Sequence, residues 1–144
     1  MGTTQGRYLN IFGILIPEGT TEKYMKCKFY EKIYAELMIK KKDTAAQSYP
    51  GPTASKEIIE SYLSTYHIEY GYRIEGKFFS LWQFDEYHVT DKSITLISDS
   101  CDIILKIFNG KLTGNYYTFS NELFFALIDY SDSNTENNIV LDEQ

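Results

Sequence analysis

The sequence predicts an α+β domain, in which an antiparallel β-meander of about five or six strands is covered by two or three helices. The first observation is alternation of apolar and polar residues between Ile68 and Thr118, since side chains alternate between the faces of a strand. The second is Asn109-Gly110, a dipeptide typical of tight hairpin turns. The third is helical spacing of apolar residues outside the meander. The composition suits a globular domain, because 43% of the 144 residues are hydrophobic and 24% are charged.

The two ends of the chain differ from the segment between them. Residues 1–6 are small and polar, which predicts a flexible N-terminus, and residues 7–130 are expected to form a single domain. Residues 131–144 contain four acidic and no basic side chains, which predicts a disordered acidic tail. Residues 8–16 are apolar on both faces and end at Pro17-Glu18-Gly19, a pattern that favours a buried strand.

Residues 21–41 fit two structures. The apolar residues at helical spacing are Tyr30, Ile33, Tyr34, Leu37 and Met38. The basic run Lys40-Lys41-Lys42 suits a helix C-terminus, so length and charge placement favour a helix. The alternative is a pair of strands, because Met25, Cys27 and Phe29 alternate with lysines.

Two further helices are predicted. Tyr49-Pro50-Gly51-Pro52 indicates a loop, after which Thr53 or Ser55 caps a helix that runs to about Tyr66. A last helix is expected from Ser120 to Asp129. Its inward residues are expected to be Leu123, Phe124, Leu127 and Ile128.

The meander supplies testable registers. Its strands are predicted at residues 68–74, 77–84, 93–98, 102–108 and 111–118. If residue 74 pairs with 77 across Glu75-Gly76, then residue 67 lies opposite 84. If residue 108 pairs with 111, then Leu105 faces Gly114 and Ile103 faces Tyr116.

Charge limits the classes of partner. The net charge of −6 argues against nucleic acid, whose phosphates require a basic surface. Residues 45–144 hold 15 acidic and 6 basic groups, a net of −9 that favours a cationic partner. No apolar run approaches the ~20 residues of a membrane span, so no membrane association and a cytoplasmic location are expected. Cys27 and Cys101 are expected to be reduced and packed.

Acidic and aromatic residues together predict a non-catalytic protein-binding domain. It could be a small acidic inhibitor or immunity-type protein that neutralises a basic protein partner by electrostatic steering and aromatic anchoring. No cofactor is expected. The residues expected to meet the partner are Asp85, Glu86, Asp91, Asp99, Trp82 and Tyr87.

Two alternatives stay open. Aromatic residues on both faces of the hairpin at 68–84 would suit a carrier that holds a small apolar ligand in a cavity of the meander. A metal-dependent hydrolase is the second alternative, because imidazole and carboxylate groups two residues apart share a strand face and bind metals. Its candidate residues are His67, Glu69, Glu86 and His88. Solvated strand ends explain the same four residues, so an enzyme is not the favoured interpretation.

Overall fold

The computed structural model describes residues 7–30, 32–43, 48–50 and 54–129, so the predicted flexible N-terminus and acidic tail lie outside the described residues. Within these ranges lie two helices and nine strands. In chain order the elements are α1 (Arg7–Leu15), β1 (Glu22–Phe29), β2 (Lys32–Lys41), α2 (Lys56–Leu63), β3 (Tyr66–Ile74), β4 (Lys77–Phe84), β5 (Glu86–Val89), β6 (Ile94–Ile97), β7 (Cys101–Phe108), β8 (Lys111–Thr118) and β9 (Glu122–Asp129).

The described strands form one antiparallel sheet that curls into a nearly closed barrel. Their order is β4-β3-β2-β1-β9-β8-β7-β6-β5. The two edge strands, β4 and β5, are consecutive in the chain and are separated by Asp85 alone. The Asp85 N–H donates to the Ile97 carbonyl at 3.3 Å. One long, bent strand therefore pairs with β3 in its first part and with β6 in its second.

The predicted fold class is wrong, although the antiparallel sheet within it is confirmed. A meander of five or six strands under helices would leave one sheet face to the helices. Instead, nine described strands wrap around their own core, and the two short described helices pack against part of it. α1 contacts β7 and β8, whereas α2 contacts β5.

Residues 8–16 were expected to be a strand, but they contribute α1. Ile11, Phe12, Leu15 and Ile16 are buried. Their spacing of one and four residues places them on one side of a helix. A short apolar run does not distinguish a buried strand from a buried helix, which explains the error.

Residues 21–41 form β1 and β2, so the favoured helix is wrong and the two-strand alternative is confirmed. Met25, Cys27 and Phe29 are buried in alternation on β1. The chain reverses at Tyr30, whose φ is 56°. A helix would have spread the alternating residues of β1 around its circumference, away from a single core face.

Residues 122–129 form β9, and the predicted last helix is wrong. β9 lies between β8 and β1, with Leu123 opposite Tyr116 and Asp129 opposite Met25. Phe125 and Leu127 point inwards, whereas Phe124 is exposed. This strand joins the two halves of the sheet, which makes a barrel possible.

The α2 prediction is confirmed in place, although the helix ends at Leu63 and Tyr66 begins β3. Ser55 caps it, because its hydroxyl accepts a hydrogen bond from the Ile58 N–H at 3.3 Å. Cys27 and Cys101 are free and buried.

The hairpin registers agree with the sequence close to the turns. β7 and β8 pair as predicted, with Leu105 opposite Gly114 and Ile103 opposite Tyr116. Ile74 also pairs with Lys77, but a bulge follows, and Ile68 rather than residue 67 lies opposite Phe84. Tyr70 pairs with Trp82 and Gly71 with Ser80, so Leu81 is the extra residue of the bulge.

Aromatic rings fill the middle of the barrel. The Tyr70 ring centroid lies 5.2 Å from that of Trp82 and 5.7 Å from that of Tyr116. Phe125 is fully buried, and its ring centroid lies 5.0 Å from that of Phe29. These contacts bring rings from β1, β3, β4, β8 and β9 together inside the barrel.

Candidate functional site

A groove of about 490 Å³ lies on the surface beside the end of β4. One wall is Tyr66–Glu69 of β3 with Ser80–Asp85 of β4 and the bend. Ser98–Ser100 of the turn between β6 and β7 line the groove as well. This groove, hereafter the acidic groove, forms where the bent strand changes partner from β3 to β6.

The alternation of β3 sets which side chains reach the groove from outside the barrel. Tyr66, Ile68 and Tyr70 are buried, so His67 and Glu69 belong to the outer face. The bulge places Glu69 opposite Gln83 on the same face. The one-residue shift in register at the bulge therefore places a carboxylate and an amide next to each other on this wall of the groove.

Carboxylates dominate the charge of the groove. Glu69, Asp85 and Asp99 line it, against Lys42 and the imidazole of His67. No ion pair or side-chain hydrogen bond joins any of these three carboxylates to another described residue. Because two of them, Asp85 and Asp99, are exposed, the groove presents negative charge to solvent.

Tyr87 connects the two parts of the bent strand. Its O–H donates to the Phe84 carbonyl at 2.8 Å, and the side chain is buried. Burial raises the pKa of the Tyr87 phenol, and the nearby Asp85 carboxylate raises this pKa further. The phenol therefore remains neutral and stabilises the bend.

A second set of acidic residues continues from the groove across the sheet. Glu86 lies opposite Ile97, which lies opposite Asp102. The row then passes through Tyr117 to Glu122. Strands are about 4.8 Å apart, so this acidic row spans about 20 Å and begins one residue after Asp85.

The predicted partner-binding residues divide between the groove and its surroundings. Asp85, Asp99, Trp82 and Tyr87 line the groove. Glu86 belongs to the acidic row, and Asp91 lies in the turn before β6, so neither lines the groove. Trp82 is half-buried, since its ring packs on Tyr70 and Tyr116 inside the barrel.

The predicted metal-binding residues are brought together only in part. His67 and Glu69 line the groove, but Glu86 and His88 do not. Glu86 and His88 lie on β5 and pair with Ile97 and Thr95 of β6. Among the residues that the structure describes, no group of three or more His, Cys, Asp or Glu side chains could hold a metal ion.

Several features of the candidate site were not predicted from the sequence. Glu69 was assigned to the metal hypothesis, and Lys42, Gln83 and Ser98 were not assigned to any site. The acidic row was missed as well, because its acidic members Glu86, Asp102 and Glu122 come from three strands that are separate in the sequence. The alternation of Cys101, Asp102 and Ile103 did indicate that Asp102 points outwards.

Neither of the two described helices has the length and hydropathy needed to span a membrane. No protein-family model matches the chain, and neither a curated protein nor a solved structure matches it.

Proposed function

We propose that this protein is a non-catalytic binding domain that holds a basic protein partner on the acidic groove and the acidic row, as a small inhibitor or immunity-type protein would. The observation that carries the proposal is the groove itself, with Glu69, Asp85 and Asp99 around one concave surface. Concave surfaces lined by one sign of charge concentrate the electric field and raise the association rate of an oppositely charged partner.

The groove combines this charge with an aromatic anchor. Trp82 reaches the groove from the packed interior, so its ring is held in place before any partner binds. Tryptophan is enriched among the residues that dominate binding energy at protein interfaces. The half-buried Tyr117 occupies a similar place within the acidic row.

The same observations favour a cationic ligand over an apolar one. The interior rings of Tyr70, Trp82 and Tyr116 are in mutual contact, and the groove wall outside them carries charged and hydroxyl groups. A lysine or arginine side chain can form charge-assisted hydrogen bonds with such carboxylates.

The test is affinity capture from the source cell with three forms of the protein. The forms are the wild type, the groove variant Glu69→Gln/Asp85→Asn/Asp99→Asn, and a control variant, Glu18→Gln/Glu57→Gln/Glu75→Gln, with the same change in net charge. None of the control residues lines the groove. We expect the wild type and the control to retain the same basic protein at low salt, and the groove variant to lose it. Equal retention by all three forms would contradict the proposal.

A further inference from the structure

We infer that the basic partner presents an extended segment that adds to the sheet as a new strand along the free edge of β4. This inference rests on the proposed function and names the form in which the cationic ligand binds. Peptides that bind by strand addition gain affinity from backbone hydrogen bonds and specificity from alternate side chains.

The free edge belongs to β4 and not to β5. Within the described residues, β4 pairs with β3 alone and ends the sheet on that side. β5 ends the other side, but α2 packs against it, and the Glu60 carboxylate accepts a hydrogen bond from the Val89 N–H at 2.8 Å. One edge is thus covered by the protein's own helix, and the other offers backbone groups to a partner.

Apolar side chains lie along the open edge. Phe79 and Leu81 of β4 are 48% and 47% exposed, and Tyr72, opposite Phe79, is 39% exposed. A long edge with exposed apolar side chains is prone to pairing with another strand. The apolar part of an added strand can cover these side chains.

The negative charge beside the edge indicates which side chains the added strand carries. The edge runs from the apolar part at Phe79 into the acidic groove at Asp85, and Asp99 also lines this groove. Lysine or arginine side chains at that end of the segment would face the carboxylates. A second copy of this chain is a poorer occupant, because each copy carries a net charge of −6.

The experiment uses a capped octapeptide of alternating lysine and valine, and the same peptide N-methylated at every residue. The two have equal charge and side chains, but methylation of every residue removes the ladder donors from both edges of the peptide. Trp82 is the only tryptophan of the chain and lines the groove, so its fluorescence reports binding to the full-length protein at low salt. We expect the unmodified peptide to bind at least about tenfold more tightly, since several backbone hydrogen bonds are at stake.

The outcomes separate this inference from the proposed function. Equal affinity for both peptides would overturn strand addition but leave binding of a basic partner intact. Binding of neither peptide, or tighter binding of a glutamate-valine octapeptide, would contradict both. Phe79→Thr is expected to weaken the unmodified peptide severalfold, with an unchanged circular dichroism spectrum. Sedimentation that shows a dimer of the free protein, abolished by Leu81→Lys, would assign the edge to a second copy and overturn the inference.

Discussion

Two hairpins of the same sheet, β7–β8 and β3–β4, begin from similar turns and end with different roles. Asn109 and Gly110 have φ of 53° and 77°, and Glu75 and Gly76 have φ of 52° and 81°. β7–β8 lies inside the sheet and keeps an unbroken register over eight pairs. β3–β4 lies at the edge, and its register shifts at the bulge.

The difference shows that the turn residues determine where a hairpin forms, but not which strands lie beside it in the sheet. The central hairpin has neighbours on both sides, β6 and β9, so its backbone edges are paired. The edge hairpin has β2 on one side and open surface on the other. The residues Ser80–Asp85 that line the groove, and the exposed side chains of Phe79 and Leu81, belong to the hairpin that lacks a second neighbour.

The largest expected effect tests the interior beside the central hairpin. Phe125→Ala should lower the free energy of unfolding by about 3–5 kcal/mol, because a fully buried ring leaves a cavity. The matched control is Phe124→Ala on the opposite face of β9, 52% exposed, with an expected loss below about 1 kcal/mol. Urea denaturation measures both. Equal losses would contradict a strand at β9, since the predicted helix placed Phe124 inwards.

The next effect tests the bulge of the edge hairpin. A Cβ on Gly71 would collide with the Phe79 carbonyl oxygen and the Phe78 ring. Because a backbone atom cannot move aside cheaply, Gly71→Ala should cost about 2–3 kcal/mol in urea denaturation. Gly13→Ala is the control, since nothing lies within 4 Å of its added Cβ. Its stability should rise by about 0.5–1 kcal/mol, because alanine favours a helix interior over glycine. A Gly71→Ala variant as stable as the wild type would refute the bulge.

Alkaline pH should destabilise the interior through its thiols. Burial raises the pKa of Cys101 to about 12 from 9.0, and it raises the pKa of Cys27 well above 9.0. Above pH 9 the unfolded thiols lose protons while the folded ones keep them, so stability falls as pH rises towards 12. Each thiol contributes a slope of up to about 1.4 kcal/mol per pH unit. Cys101→Ala should show a shallower decline in urea midpoint between pH 9 and 11, and an unchanged slope would contradict this cause.

The smallest effect concerns the groove itself. The triple variant Glu69→Gln/Asp85→Asn/Asp99→Asn should change the free energy of unfolding by no more than about 0.5 kcal/mol, because two of the residues are exposed and none has an ion-pair partner among described residues. Thermal and urea denaturation measure this. A decrease of several kcal/mol in the free energy of unfolding would show that these carboxylates stabilise the fold, which would contradict their assignment to partner binding.

The central hairpin was predictable because its determinants are local. Asn109-Gly110 and the alternation around it specify both strands and their register. β9 could not be predicted, because the spacing of Leu123, Phe124, Leu127 and Ile128 fits one face of a helix as well as a strand. β9 pairs with β1, which lies about 100 residues earlier in the chain. The residues next to β9 in the sequence therefore give no indication of this pairing.

The candidate site was predictable only in part for the same reason. Asp85 and Asp99 could be proposed from charge, and both line the groove. Glu69 reaches it because a bulge shifts one register, and Lys42 reaches it because β2 ends beside β3. Neither the bulge nor the change of partner at the bend leaves a local signal as strong as Asn-Gly.

The most direct measurement of the contrast between the two hairpins is a two-dimensional amide NMR titration of the full chain with the lysine-valine octapeptide at low salt. We expect the largest chemical-shift changes at Ser80–Asp85 and Ser98–Ser100, and almost none at Lys106–Thr113 of the central hairpin. Largest changes at Phe108 and Phe124, on the outer face beside the central hairpin, would contradict a binding surface at the edge of β4.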